Sequence, residues 1–122
     1  MGDPPLTVPL SSEEIWVPVC RLSRLISQTI VRARVTGMDL ILVWNEDRVA
    51  ACERVCPHEQ ADLGLGHVSG GRLFCPRHAA SFDLNNGQIS HGWTSRPLQM
   101  YPVRIEGDQV WICPGTTKPP TI

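Results

Sequence analysis

Two short motifs restrict this chain more than anything else in it: Cys56-Pro57-His58 and Cys75-Pro76-Arg77-His78, with residues 59–74 between them. Each offers one thiol and one imidazole. Each is bounded by glycine or proline, which reads as a loop. A fold for this chain therefore has to set two chemically matched loops side by side.

The rest of the sequence reads as all-β. Ile15-Trp16-Val17-Pro18-Val19 predicts a first strand, with Pro18 marking a sheet edge. Arg21 to Ile26 predicts one helical turn, and no helix long enough to matter is expected. Thr29 to Val35 alternates apolar and charged residues, as a half-buried strand does. Leu40-Ile41-Leu42-Val43-Trp44 has no polar member and predicts a central strand. It lies between turns at Gly37-Met38-Asp39 and Asn45-Glu46-Asp47-Arg48, and Val49 to Val55 follows. Ser69-Gly70-Gly71 predicts a hairpin turn joining His67-Val68 to Arg72-Leu73-Phe74. Ser81-Phe82-Asp83-Leu84 predicts a short strand ending at Asn85-Asn86-Gly87. Leu98 to Ile105 and Gln109 to Cys113 predict a closing pair joined by Glu106-Gly107-Asp108. Many short strands with turns between them make a sandwich or barrel, with the two cysteine–histidine loops on neighbouring hairpins. Trp16, Trp44 and Trp111 are expected in the core. The length, 122 residues, suits one domain: an extended lead-in over 1–14, a domain over 15–113 and a tail over 114–122.

Two thiolates and two imidazoles, split evenly between two loops, fit a [2Fe–2S] centre in which Cys56 and Cys75 hold one iron and His58 and His78 hold the other. Neutral imidazoles in place of two thiolates make such a centre less negative, so it accepts an electron more readily. The same four residues could bind Zn²⁺ tetrahedrally. The usual zinc patterns put like residues in one knuckle, whereas here each loop mixes them, which favours the binuclear centre. Gly64 and Gly66, after the first loop, are expected either to let backbone approach closely and aim N–H groups at the sulfides or to be plain turn residues. His67 and His91 are expected on hairpins or the surface. Glu59, Asp62 and Arg77 flank the ligands, as docking charges or as solvated ones. Trp93 is expected to shield the centre.

From Ile15 to Ile112 the chain resembles the Rieske ferredoxin family. Cys56-Pro57-His58 with Leu63 and Gly66 is similar to that family's first cluster loop. Cys75-Pro76-Arg77-His78 with Ser81-Phe82-Asp83 and Gly87 is similar to its second loop, and Tyr101-Pro102-Val103 with Glu106-Gly107-Asp108-Gln109-Val110 to its closing strands. The resemblance implies stacked antiparallel sheets, a small cluster-binding subdomain at about residues 53–92, and a covering segment at Arg96-Pro97. Two departures matter. Ala61 and Arg77 stand where the high-potential members carry a pair of cysteines, so the disulfide between loops is absent. Ala80 and Phe82 stand where those members place hydroxyl donors. A potential toward the low end of the Rieske span, roughly −150 to +300 mV, is therefore expected.

The resemblance implies a one-electron carrier rather than an enzyme. Its electron would come from an NAD(P)H-dependent reductase, a flavoprotein, and go to a terminal oxygenase acting on aromatic or other hydrophobic compounds. Two alternatives stay open: the small Rieske subunit of an assimilatory nitrite reductase, and a zinc-stabilised interaction module with no redox role. A net charge of −1 points away from nucleic acid and from polybasic membrane binding. There is no apolar run of membrane-spanning length, and Met1-Gly2-Asp3-Pro4-Pro5 lacks the basic, apolar start of a secretory signal. A cytoplasmic monomer is expected. In that reducing setting Cys20, Cys52 and Cys113 should be small buried hydrophobes.

Overall fold

The computed structural model describes residues 15–58, 60–77 and 80–115. Glu59, His78 and Ala79 lie outside them, as do the expected lead-in and most of the expected tail.

The strands are β1 (Val17–Arg21), β2 (Ile30–Val35), β3 (Met38–Asn45), β4 (Arg48–Glu53), β5 (His67–Ser69), β6 (Arg72–Phe74), β7 (Ser81–Asp83), β8 (Met100–Tyr101), β9 (Val103–Glu106) and β10 (Gln109–Ile112), with one helix, α1 (Leu22–Gln28). They form three sheets, ordered β1-β10-β9, β2-β3-β4-β8 and β5-β6-β7. Every pairing is antiparallel. Pro18 lies on β1, an edge strand, opposite Trp111 and beside a bulge, where a missing N–H costs least.

Strand β3 organises the core. Leu40 and Leu42 face one apolar cluster with Val31, Val35, Val110 and Ile112. Ile41 and Val43 face a second, with Leu63, Leu73, Phe82 and Leu98. With both faces covered, the strand has no use for a polar residue between Leu40 and Val43, and all four are at most 1% exposed.

Three elements differ from the sequence expectation. The helix is two turns long rather than one, and it matters: Leu25 is fully buried. So short a helix is marginal alone. It has no capping side chain of its own; instead the distant Asp108 accepts the Ser23 backbone N–H at 2.9 Å and the Ser23 hydroxyl at 2.9 Å, and its carbonyl accepts the Leu22 N–H at 2.8 Å. The orphan amides of the first turn are thus satisfied by the β9–β10 turn.

The segment expected as one strand, Leu98 to Ile105, is two. Met100–Tyr101 pairs with β4 while Val103–Glu106 pairs with β10. Pro102, which cannot donate to either ladder, sits at the crossing, and its carbonyl accepts the Cys113 N–H at 3.1 Å. Lastly, the three strand tryptophans are half-buried rather than core. Trp16 precedes β1 and carries the Arg104 guanidinium over its ring, 4.6 Å from the centroid.

Candidate metal centre

Both cysteine loops are hairpin loops of the same length, six residues: Cys56 to Ala61 between the bridge partners Val55 and Asp62, and Cys75 to Ala80 between the strand partners Phe74 and Ser81. They close by the same bond. The Cys56 N–H donates to the Ala61 carbonyl at 2.8 Å, and the Cys75 N–H to the Ala80 carbonyl at 3.1 Å. Each cysteine is therefore the first residue of a six-residue loop closed by the same backbone bond.

Burial is graded across the site. Cys56 is fully buried and Cys75 is 3% exposed, both in the cluster of Leu63, Leu73, Phe82 and Leu98. His58 is half-buried, and the Trp93 indole meets its imidazole edge to face, ring centroids 5.1 Å apart and planes at 82°. The sulfur donors thus lie in the apolar interior, and His58 is the more exposed residue, with its Nδ1 still shielded from solvent. Among the described residues no three metal-ligating side chains converge on one point; His78 lies outside those residues. Cys52 shares the same core, but burial pushes its thiol pKa far up, so it stays a neutral core residue; burial raises that of Cys20 as well.

The glycine expectations divide. Gly66 does serve close approach: a Cβ there would collide with the Phe74 carbonyl oxygen. Neither glycine N–H, however, is aimed at a sulfide. Gly64 donates to the Asp62 carboxylate at 2.8 Å and Gly66 to the Leu63 carbonyl at 3.0 Å. Nor is Asp62 a solvated or docking charge. Arg54 grips it with two bonds of 2.9 Å, Arg32 lies at 3.4 Å, and its pKa is held down at about 2, chiefly by Arg54. Arg77 is exposed, and His67 stacks on Phe74 across the β5–β6 pair at 4.7 Å.

The segment after Ser90 lies over the site differently than expected. Its residue against His58 is Trp93, as the shielding expectation had it. Arg96 turns the other way, to Glu53 at the end of β4, with bonds of 2.7 and 2.9 Å, and Glu53 also accepts the Gln99 N–H at 2.7 Å. Pro97 is exposed. Leu98 enters the core beside the cysteines, and its carbonyl approaches Gly87 so closely that no Cβ fits there.

Residues 15–102 match the family model of the Rieske [2Fe–2S] domain. The chain belongs to the Rieske [2Fe–2S] domain family.

Its relatives agree. It is 28% identical over 97 residues to the ferredoxin component of the naphthalene 1,2-dioxygenase system of Pseudomonas putida, covering 80% of this chain and 93% of that one. It is 33% identical over 84 residues to the anthranilate 1,2-dioxygenase ferredoxin subunit of Burkholderia cepacia, covering 68% and 78%. Among solved structures, a chain in the complex of reduced oxygenase and oxidized ferredoxin in carbazole 1,9a-dioxygenase superposes with a TM-score of 0.74 at 28% identity, over 84% of this chain and 96% of that one. The cofactor of this Rieske protein is accordingly a Rieske-type [2Fe–2S] cluster. The donor set fits it: two thiols in an apolar interior, and an imidazole where the protein meets solvent.

Proposed function

We propose that the protein is a one-electron carrier that takes its electron from an NAD(P)H-dependent flavoprotein reductase and delivers it to a terminal oxygenase for aromatic or other hydrophobic substrates. Cys56 and Cys75 would hold the inner iron, and His58 and His78 the outer, within a cluster-binding subdomain of about residues 53–92. When bound, such a cluster supplies reversible one-electron storage at a higher potential than an all-thiolate one.

The observation that carries this reading is the graded burial of the donors on two matched loops. The thiols lie among Leu63, Leu73, Phe82 and Leu98, which exclude water from the sulfur side. His58 reaches the boundary with solvent, where a partner can approach it. Trp93, 37% exposed, packs edge to face against that imidazole. An interface of this kind is small, as suits a transient electron-transfer encounter. The related carbazole ferredoxin, in complex with its oxygenase, and the relatives of the naphthalene and anthranilate systems support the oxygenase as the recipient. Among the described residues no helix is long and apolar enough to cross a membrane, and a cytoplasmic, monomeric shuttle fits that.

The test is reconstitution. The purified protein, mixed with a catalytic amount of an NADH-dependent ferredoxin reductase, should bleach with NADH and recover its colour on addition of a competent oxygenase and substrate. Stable co-purification with a large sirohaem protein, with no turnover in that assay, would instead favour a nitrite reductase subunit.

A further inference from the structure

The first cluster loop is fastened at its base by charge. Arg54 and Asp62 flank the loop on either side, at its base, where Val55 and Asp62 form a bridge pair and the Leu63 N–H donates to the Arg54 carbonyl at 2.8 Å. The Arg54 guanidinium forks onto both carboxylate oxygens at 2.9 Å. Arg32, on β2, reaches the same carboxylate at 3.4 Å, so the loop base is tied to the four-stranded sheet. The neighbourhood is shaped for this contact. A Cβ on Gly64 would lie 2.7 Å from Arg32 Nε and 2.9 Å from Asp62 Oδ1, so a larger residue there would make these side chains shift. Among the described residues the second loop shows no ion pair at its base. Arg72 Nε donates to the Ser81 hydroxyl at 2.7 Å, and Ser81 and Ser90 exchange two further bonds of 3.0 and 2.7 Å.

We propose that Asp62 is a positioning residue for the cluster: the Arg54–Asp62–Arg32 latch holds the first loop in register, a restraint this chain needs because Ala61 and Arg77 leave it no disulfide between the loops. The inference rests on the reading that Cys56 and His58 of that loop are ligands. Its physics is that of outer partners that orient ligands without touching the metal. Asp62 lies against two guanidinium groups at once and offsets part of their mutual repulsion. Without its charge they repel each other, which loosens the tie between the loop base and β2.

The test uses the anaerobically prepared holoprotein. Asp62→Asn keeps an acceptor for the Gly64 N–H while removing the charge and one of the two acceptors of the Arg54 fork. Asp108→Asn, which weakens the cap of α1 on another sheet, controls for general loss of stability. The readouts are the rate of visible bleaching under excess chelator and the EPR line shape of the reduced protein. For Asp62→Asn the expected result is bleaching roughly 10- to 100-fold faster than wild type, with a broadened spectrum. Asp108→Asn should bleach at the wild-type rate when compared at the same interval below its melting temperature. If Asp62→Asn does not fold, Arg54→Lys keeps the charge but loses the forked contact, and should bleach faster by a smaller factor. Wild-type bleaching and line shape in either variant, or equal acceleration in Asp108→Asn, would overturn the latch. A colourless wild-type protein would overturn the electron-carrier reading instead, and the latch with it.

Discussion

Ala80 and Phe82 flank Ser81 at the exit of the second loop, and both are fully buried. Neither offers a hydroxyl. Ser81, between them, accepts from Arg72 rather than turning inward. A hydroxyl at position 80 would add a donor beside the Cys75 turn, and donors favour the reduced, more negative state. Ala80→Ser should therefore raise the midpoint potential; one hydrogen bond of about 1 kcal/mol corresponds to a shift on the order of 50 mV for one electron. Redox titration checks it, and an unchanged or lower potential would contradict it. Asp62 supplies a pH signature. Its carboxyl is held near 2 against an ordinary 3.8, so the folded state favours the charged form. That stability is fully present above the unfolded value and is lost as pH falls through the folded one. The gap in urea-unfolding stability between wild type and Asp62→Asn should be full at pH 5, about 2 kcal/mol at most before solvent screening, and should narrow below pH 4. A gap independent of pH would show that the charge is not what matters.

At the scale of elements, the helix α1 shows how a short segment becomes structural. Leu25 is fully buried in the cluster of β2, β3 and β10 residues. Leu25→Ala should cost about 2–5 kcal/mol, read as a lower melting temperature, with the visible spectrum of the folded protein unchanged. The sequence announced a helical turn here but not its second turn or its structural weight, because its cap comes from Asp108, far along the chain. Strands β3 and β6 and the Gly70-Gly71 turn were legible, since an unbroken apolar run and a glycine pair between short strands are local signals. The split at Pro102 was half legible: proline marks a break in a ladder, but only the pairing of Met100–Tyr101 with β4 shows that the segment changes sheets. For the site, the ligand types and loops were readable from spacing. The equal loop length of Cys56–Ala61 and Cys75–Ala80 was there to be counted, and with it the pairing of Arg54 with Asp62 across the first loop. Glu53–Arg96 had no such signal, because its partners are 43 residues apart.

At the scale of the molecule, three sheets share two cores, and β3 contributes to both. The smallest sheet, β5-β6-β7, carries the second cysteine loop directly from β6 to β7, while the first loop leaves from the end of β4. The first and last strands, β1 and β10, pair with each other, away from those loops in sequence and pairing. The division of labour is therefore spatial: a β scaffold with two cores, and two turns whose cysteines lie in the apolar interior while His58, on the first, is half-buried. The most direct measurement of that claim is iron and acid-labile sulfide analysis on anaerobically prepared protein, combined with EPR after reduction. The account predicts iron and sulfide in equal amounts, two of each per chain, and a spectrum of the Rieske type that is lost in His58→Ala. Stoichiometric zinc without sulfide, or a spectrum indistinguishable from an all-thiolate cluster and unmoved by His58→Ala, would contradict it.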